Sequence, residues 1–164
     1  MTALWNQPVA PVRAILLGGG FVALFDIIDP IIFYGIRNGT APIRIFQSIA
    51  GGLLGRATYD GGLATAVLGG CLHLFIATSI VATCVAAGRV LPWLTAQPLM
   101  TAPLWGIGVF VFMNTVVLPL SKVGWPRFSW PWLINGLLIH MFGVGLPSVL
   151  AARAARRYQP ATAA

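Results

Sequence analysis

The sequence contains no glutamate, and Asp26, Asp29 and Asp60 are its only acidic residues. Charged residues make up 8% of the chain, against about 25% in soluble domains. So low a content excludes a water-facing surface over most of the chain. The net charge of +7 would suit a nucleic-acid partner. However, the basic residues stand singly or in short groups between apolar runs, with no basic stripe and no aromatic–basic platform, so no nucleic acid is expected. They suit membrane flanks that face anionic lipid headgroups.

Cysteine is scarce as well. Cys71 and Cys84 share one apolar run, and about 20 Å of helical rise separates them, which excludes a disulfide between them. They are expected to be small buried hydrophobes, and no CxxC or zinc-type spacing exists. Sustained period-two alternation is missing, which argues against strands. No glycine-rich turn follows a strand, which removes a phosphate-binding loop. Ser79 and Ser121 have no base placed for them by the sequence, so no catalytic residue is assigned.

What is present is apolar. Hydrophobic residues make up 58% of the chain, with 19 Gly and 12 Pro, a mixture that membrane helices tolerate better than soluble ones. Charges divide the chain into four intervals, each able to hold about 20 helical residues and so to cross a ~30 Å hydrocarbon core. The expected spans are Ile15–Tyr34, Leu63–Ala86, Ala102–Leu120 and Leu133–Ala152. Residues 1–164 form a single membrane domain. The segment MTALWNQPVAPVR precedes a long apolar stretch that carries two Asp and lacks a small-x-small cleavage signal, so the stretch is expected to be a retained first span.

Local signals mark the boundaries. Asp60, Thr101 and Ser129 can cap the second, third and fourth helices. Trp93, Trp105, Trp125, Trp130 and Trp132 gather near span ends, as an interfacial belt would. The connection over 41–56, APIRIFQSIAGGLLGR, has Ile45, Ile49 and Leu53 at spacing four, with Arg44, Gln47 and Ser48 on other faces. That pattern predicts a short amphipathic helix at the interface. Basic residues tie five to five between the two sides, so the positive-inside rule gives no orientation. The ARAARR cluster after the last span tips the expectation towards both termini cytoplasmic, with Arg153, Arg156 and Arg157 facing lipid headgroups.

A repeat emerges on alignment. Gly18, Gly20 and Asp26 match Gly106, Gly108 and Asn114 at a constant offset of 88, and Gly69, His73 and Phe75 match Gly136, His140 and Phe142 at an offset of 67. The expected fold is therefore all-α transmembrane: a four-helix bundle made of two similar helical hairpins, related in parallel.

Asp26, His73, Asn114 and His140 fall near the middles of their spans. A charge at the bilayer centre costs roughly 2.5–3.5 kcal/mol on insertion scales. Together with Asp29 these groups are expected to form an intramembrane polar layer facing the bundle interior. Asp26 and Asp29 share a helical face, so one is expected to be protonated, or neutralised by a histidine, a bound cation or an arginine folding back from Arg37, Arg44 or Arg56. Pro30 removes a backbone donor beside them. A structural network locking the helices is the bland alternative.

His73 follows Gly69 and Gly70, and His140 lies between Gly136 and Gly143. Such glycines either let another helix approach closely or leave room for a tetrapyrrole, heme or chlorophyll, with the imidazole as axial ligand. Close packing is the commoner outcome. Asp26, His73 and His140 could also be drawn as metal ligands, though nothing in the sequence sets their distances.

The combination LFDIIDPIIFYGIRNG, IFQSIAGGLLGR, HLFIA and MNTVVLPLS resembles small uncharacterised bacterial inner-membrane proteins akin to the YagU-like group, over residues 14–150. The resemblance implies a polytopic bacterial inner-membrane protein with polar residues inside the membrane, and it brings no catalytic assignment. Three functions fit the sequence. The first is a non-catalytic accessory or assembly subunit of a larger membrane complex, bound to other subunits or to itself. The second is a tetrapyrrole-binding subunit. The third is an oligomeric proton-coupled or small-solute transporter using Asp26 and Asp29.

Overall fold

The structure, a computed structural model, describes residues 8–158. Part of the segment ahead of the first span, and the extreme C-terminus, lie outside the described residues. Among the described residues every regular element is helical. The order is α1 (Pro11–Asn38), α2 (Pro42–Leu54), a 3-10 segment (Gly55–Asp60), α3 (Gly62–Val90), the short α4 (Pro92–Ala96), α5 (Pro98–Leu120) and α6 (Trp130–Arg156). Four of these, α1, α3, α5 and α6, are long and apolar enough to cross a membrane.

Each expected span lies inside one of these helices, which run beyond it. In α1, Pro11 suits the first turn and Gly39, at φ 65°, closes the last with its N–H on the Gly35 carbonyl. Ser129 does cap α6, accepting from Trp132 N–H at 3.4 Å. Asp60 caps nothing: the residue before α3 is Gly61, with no side-chain cap. Thr101 lies inside α5, its hydroxyl donating to the Leu94 carbonyl at 2.7 Å, because Pro98 starts the helix earlier.

The packing is that of a membrane protein. On α1 the buried residues are Ala14, Gly18, Gly19, Val22 and Ala23, while Leu16, Leu17, Phe21, Leu24 and Ile32 are exposed. Small residues let backbones approach, and the large apolar side chains suit lipid. A Cβ on Gly106 would fall on the His140 carbonyl, and one on Gly145 would fall on the Ala102 carbonyl, so α5 and α6 meet backbone to backbone. Cys84 is buried as expected, whereas Cys71 is exposed on the outer face.

Connections sort to two ends. At one end Val9 N–H donates to the Ala154 carbonyl at 3.1 Å. There Arg153 reaches the Ala96 carbonyl at 3.4 Å, and Arg156 reaches the Pro92 carbonyl and the Thr95 hydroxyl at 3.3 and 3.2 Å. At the other end Lys122 N–H donates to the Gly52 carbonyl at 2.9 Å, joining the first and third connections. α6 is central: it packs on α1, α3 and α5, while α3 packs on α1 and α2. α5 rests on α6 and barely touches α3, which leaves a gap on that side.

Two helices are irregular where the sequence pattern predicts regular ones. α5 has a π-helical turn at Met113–Val117 and α6 has one at His140–Gly145. Pro119 and Pro147 follow them by two residues. Proline lacks an N–H and crowds the carbonyl four residues earlier, here Thr115 and Gly143, so the preceding turn widens.

Candidate intramembrane site

The gap between the helices is a cleft of about 470 Å³ lined by α1, α2, α3, α5 and α6. All five residues of the expected polar layer, Asp26, Asp29, His73, Asn114 and His140, line it. Most of the remaining lining is apolar, from Val22 and Phe33 to Ile76 and Ile139.

The polar groups do not form one network. Two small clusters stand on α1. In the first, His73 Nε2 lies 2.9 Å from the Ala23 carbonyl. A carbonyl only accepts, so Nε2 carries the hydrogen. Nδ1 therefore faces the Asp26 carboxylate, at 4.0 Å, beyond hydrogen-bond distance. A proton placed on Nδ1 would turn this into an ion pair. In the second cluster Asn135 Nδ2 donates to Asp29 Oδ2 at 2.7 Å.

The other members turn back on their own helices. Asn114 Nδ2 donates to the Phe110 carbonyl at 2.8 Å. His140 Nδ1 lies 2.8 Å from the Gly136 carbonyl, so it carries the hydrogen and Nε2 is the ring's acceptor. Both stand at the start of a π-helical turn. Asn114 and His140 share the cleft with Asp26 without a hydrogen bond to it. Nor do the arginines fold back to Asp29: Arg37 lies over the Phe33 ring at 5.5 Å, and Arg44 donates to the Tyr59 carbonyl at 3.1 Å.

α2 closes the cleft at the end of the first and third connections. Ile45 and Ile49 line it, as the amphipathic pattern suggests, but so does Ser48. Gln47, placed on a polar face by its spacing, is instead buried and donates to the Gly62 carbonyl at 3.0 Å and the Thr65 hydroxyl at 3.3 Å. The Thr58 hydroxyl donates to the Gln47 carbonyl at 2.8 Å. This network ties α2 to the start of α3.

The glycines beside the histidines are filled by protein. A Cβ on Gly69 would fall on the Phe46 carbonyl, one on Gly136 would meet the Phe110 ring, and one on Gly143 the Ile139 side chain and Phe25. Gly70 lies 3.7 Å from the Phe46 ring by the same measure. Here the glycines serve close approach. His73 has one ring nitrogen hydrogen-bonded and the other turned to Asp26, whereas at His140 only Nδ1 is hydrogen-bonded. Among the described residues no group of three His, Cys, Asp or Glu is arranged to hold a metal ion.

Of the expected headgroup arginines, Arg153 and Arg156 are drawn onto α4. Asn135 is absent from the sequence-derived site. Its signal is depth: it lies one turn into α6 from the end where α1 stops, level with Asp29. An expected span starting at Leu133 puts it at the water edge. Comparisons with protein-family models, curated proteins and solved structures give no match for this chain.

Proposed function

We propose that the protein is a multi-pass protein of the bacterial inner membrane, with both termini cytoplasmic, that carries protons or a small hydrogen-bonding solute through its intramembrane cleft. Two related hairpins build the transport unit, and a second copy completes it. One observation carries the reading: two of the chain's three acidic residues and both of its histidines line a single cleft between apolar helices. Intramembrane ionisable groups are costly and mark solute or proton paths. A purely structural layer would join these groups to one another. Instead the His73–Asp26 pair is held short of hydrogen bonding, and His140 presents a ring acceptor beside the cleft.

The test is flux in proteoliposomes loaded with a pH-sensitive dye. The wild-type protein dissipates an imposed pH gradient, and Asp26→Asn or Asp29→Asn stops it. A purified, folded protein with no proton flux, alone or with added small solutes, sinks the transport reading and returns weight to an accessory subunit, which has only composition behind it.

A further inference from the structure

Another cavity, of about 380 Å³, opens where α1 ends and α6 begins. Arg37, from the last turn of α1, and Arg127, from the connection before α6, both line it. Asn38, Ser129, Tyr34 and Trp132 complete its polar and aromatic wall. No carboxylate lines it, and among the described residues neither arginine has an ion pair. The Arg37 guanidinium lies over the Phe33 ring, itself part of the wall, at 5.5 Å, and two cations lining one cavity favour an anion within it. Guanidinium matches phosphate oxygens in a bidentate fork. The positive end of the α6 dipole adds to the same field.

The geometry points to this cavity as a binding site for a phosphate-bearing anion, carried on the headgroup of an anionic phospholipid. Depth argues for the lipid source. The site lies at helix ends, beside the exposed Trp125 and Trp130, where aromatic residues mark the membrane interface. Its wall is also continuous with the bilayer-depth cleft, since Phe33, Tyr34 and Trp132 line both cavities. A headgroup held here would have apolar surface beneath it for its chains. The inference stands apart from the transport reading, because it uses none of Asp26, Asp29, His73 or His140.

The experiment is native mass spectrometry of the full-length protein in mixed micelles of phosphatidylglycerol and phosphatidylcholine, with inorganic phosphate in a separate arm. Wild type retains one phosphatidylglycerol in preference to phosphatidylcholine. Basic residues near a membrane surface contribute roughly a fivefold preference each. Arg37→Gln with Arg127→Gln therefore lowers the preference roughly 25-fold, at unchanged helicity and melting temperature. Arg37→Lys with Arg127→Lys recovers part of it. Arg13→Gln, at the opposite end, leaves it unchanged. Equal retention in wild type and the double Gln variant overturns the assignment, as does an equal loss in Arg13→Gln. Arginine-dependent binding of inorganic phosphate without phosphatidylglycerol retention overturns the lipid source.

Discussion

Two neighbouring glycines give the sharpest test of how α2 is held. At Gly69 an added Cβ would fall on the Phe46 carbonyl, with the Phe46 Cα at 3.3 Å behind it. These are backbone atoms of a helix tied down at Gln47 and Thr58, so they cannot swing aside. At Gly70 the nearest atoms are on the Phe46 ring, at 3.7 and 3.8 Å, an ordinary contact. Overpacking of a close-packed contact costs about 1–3 kcal/mol. Gly69→Ala is expected to cost that much. Gly70→Ala should stay within about 0.5 kcal/mol of wild type, as substitutions away from tight contacts do. The two variants differ from wild type by one methyl each, so hydrophobicity cancels between them. Unfolding in a graded detergent–SDS mixture, followed by circular dichroism, measures both. If the glycines only reserve space for a flat cofactor, the protein without that cofactor tolerates both equally. Matching unfolding midpoints would therefore refute the docking of α2 on α3.

Other expectations follow from the same geometry. Asn135→Leu removes the hydrogen bond to Asp29 and is expected to cost about 1.5–3 kcal/mol if the carboxylate is charged. In an Asp29→Leu background the cost should shrink, giving a coupling energy in a double-mutant cycle; strict additivity would show that the pair is not formed. Gly106→Ala places a Cβ on the His140 carbonyl and should weaken the α5–α6 contact by about 1–3 kcal/mol, while Gly108→Ala, with nothing within 4 Å, should not move the unfolding midpoint. Arg156→Ala releases the Pro92 carbonyl and the Thr95 hydroxyl and should speed limited proteolysis within 91–97; an unchanged digestion rate would show that this anchor does not restrain α4.

Much of this architecture can be read from the chain because lipid imposes a simple rule. Long apolar intervals with few charges must hold helices, and the four spans expected from them lie inside observed helices. The grouping of polar residues was legible too: Asp26, Asp29, His73, Asn114 and His140, expected in one layer, line one cleft. Rotation and partner choice were not. His73 turns to Ala23 while His140 turns to its own Gly136, although both follow the same G-x-x-x-H spacing. The difference arises from α2, which docks at Gly69, and from the π-helical turn set by Pro147. Neither contact leaves a periodic signal. Gln47 illustrates the same limit: its spacing assigns it to a polar face, but its burial follows from long-range bonds to Gly62 and Thr65. The bonds from Arg153 and Arg156 to α4 are hidden for a related reason, since they form only through the turn between the second and third spans.

Transport through the cleft requires that water reach its five polar residues inside the membrane. That requirement is tested most directly by water access. In a background carrying Cys71→Ser and Cys84→Ala, single cysteines are placed by Asp29→Cys and Asn114→Cys in the cleft. Leu24→Cys and Leu138→Cys serve as references, on outer faces where the native side chains are 53% and 52% exposed. A hydrophilic thiosulfonate reagent is then applied to proteoliposomes. Modification is expected at positions 29 and 114 and none at 24 and 138. Modification at the outer positions, or protection of both cleft positions, would contradict this expectation.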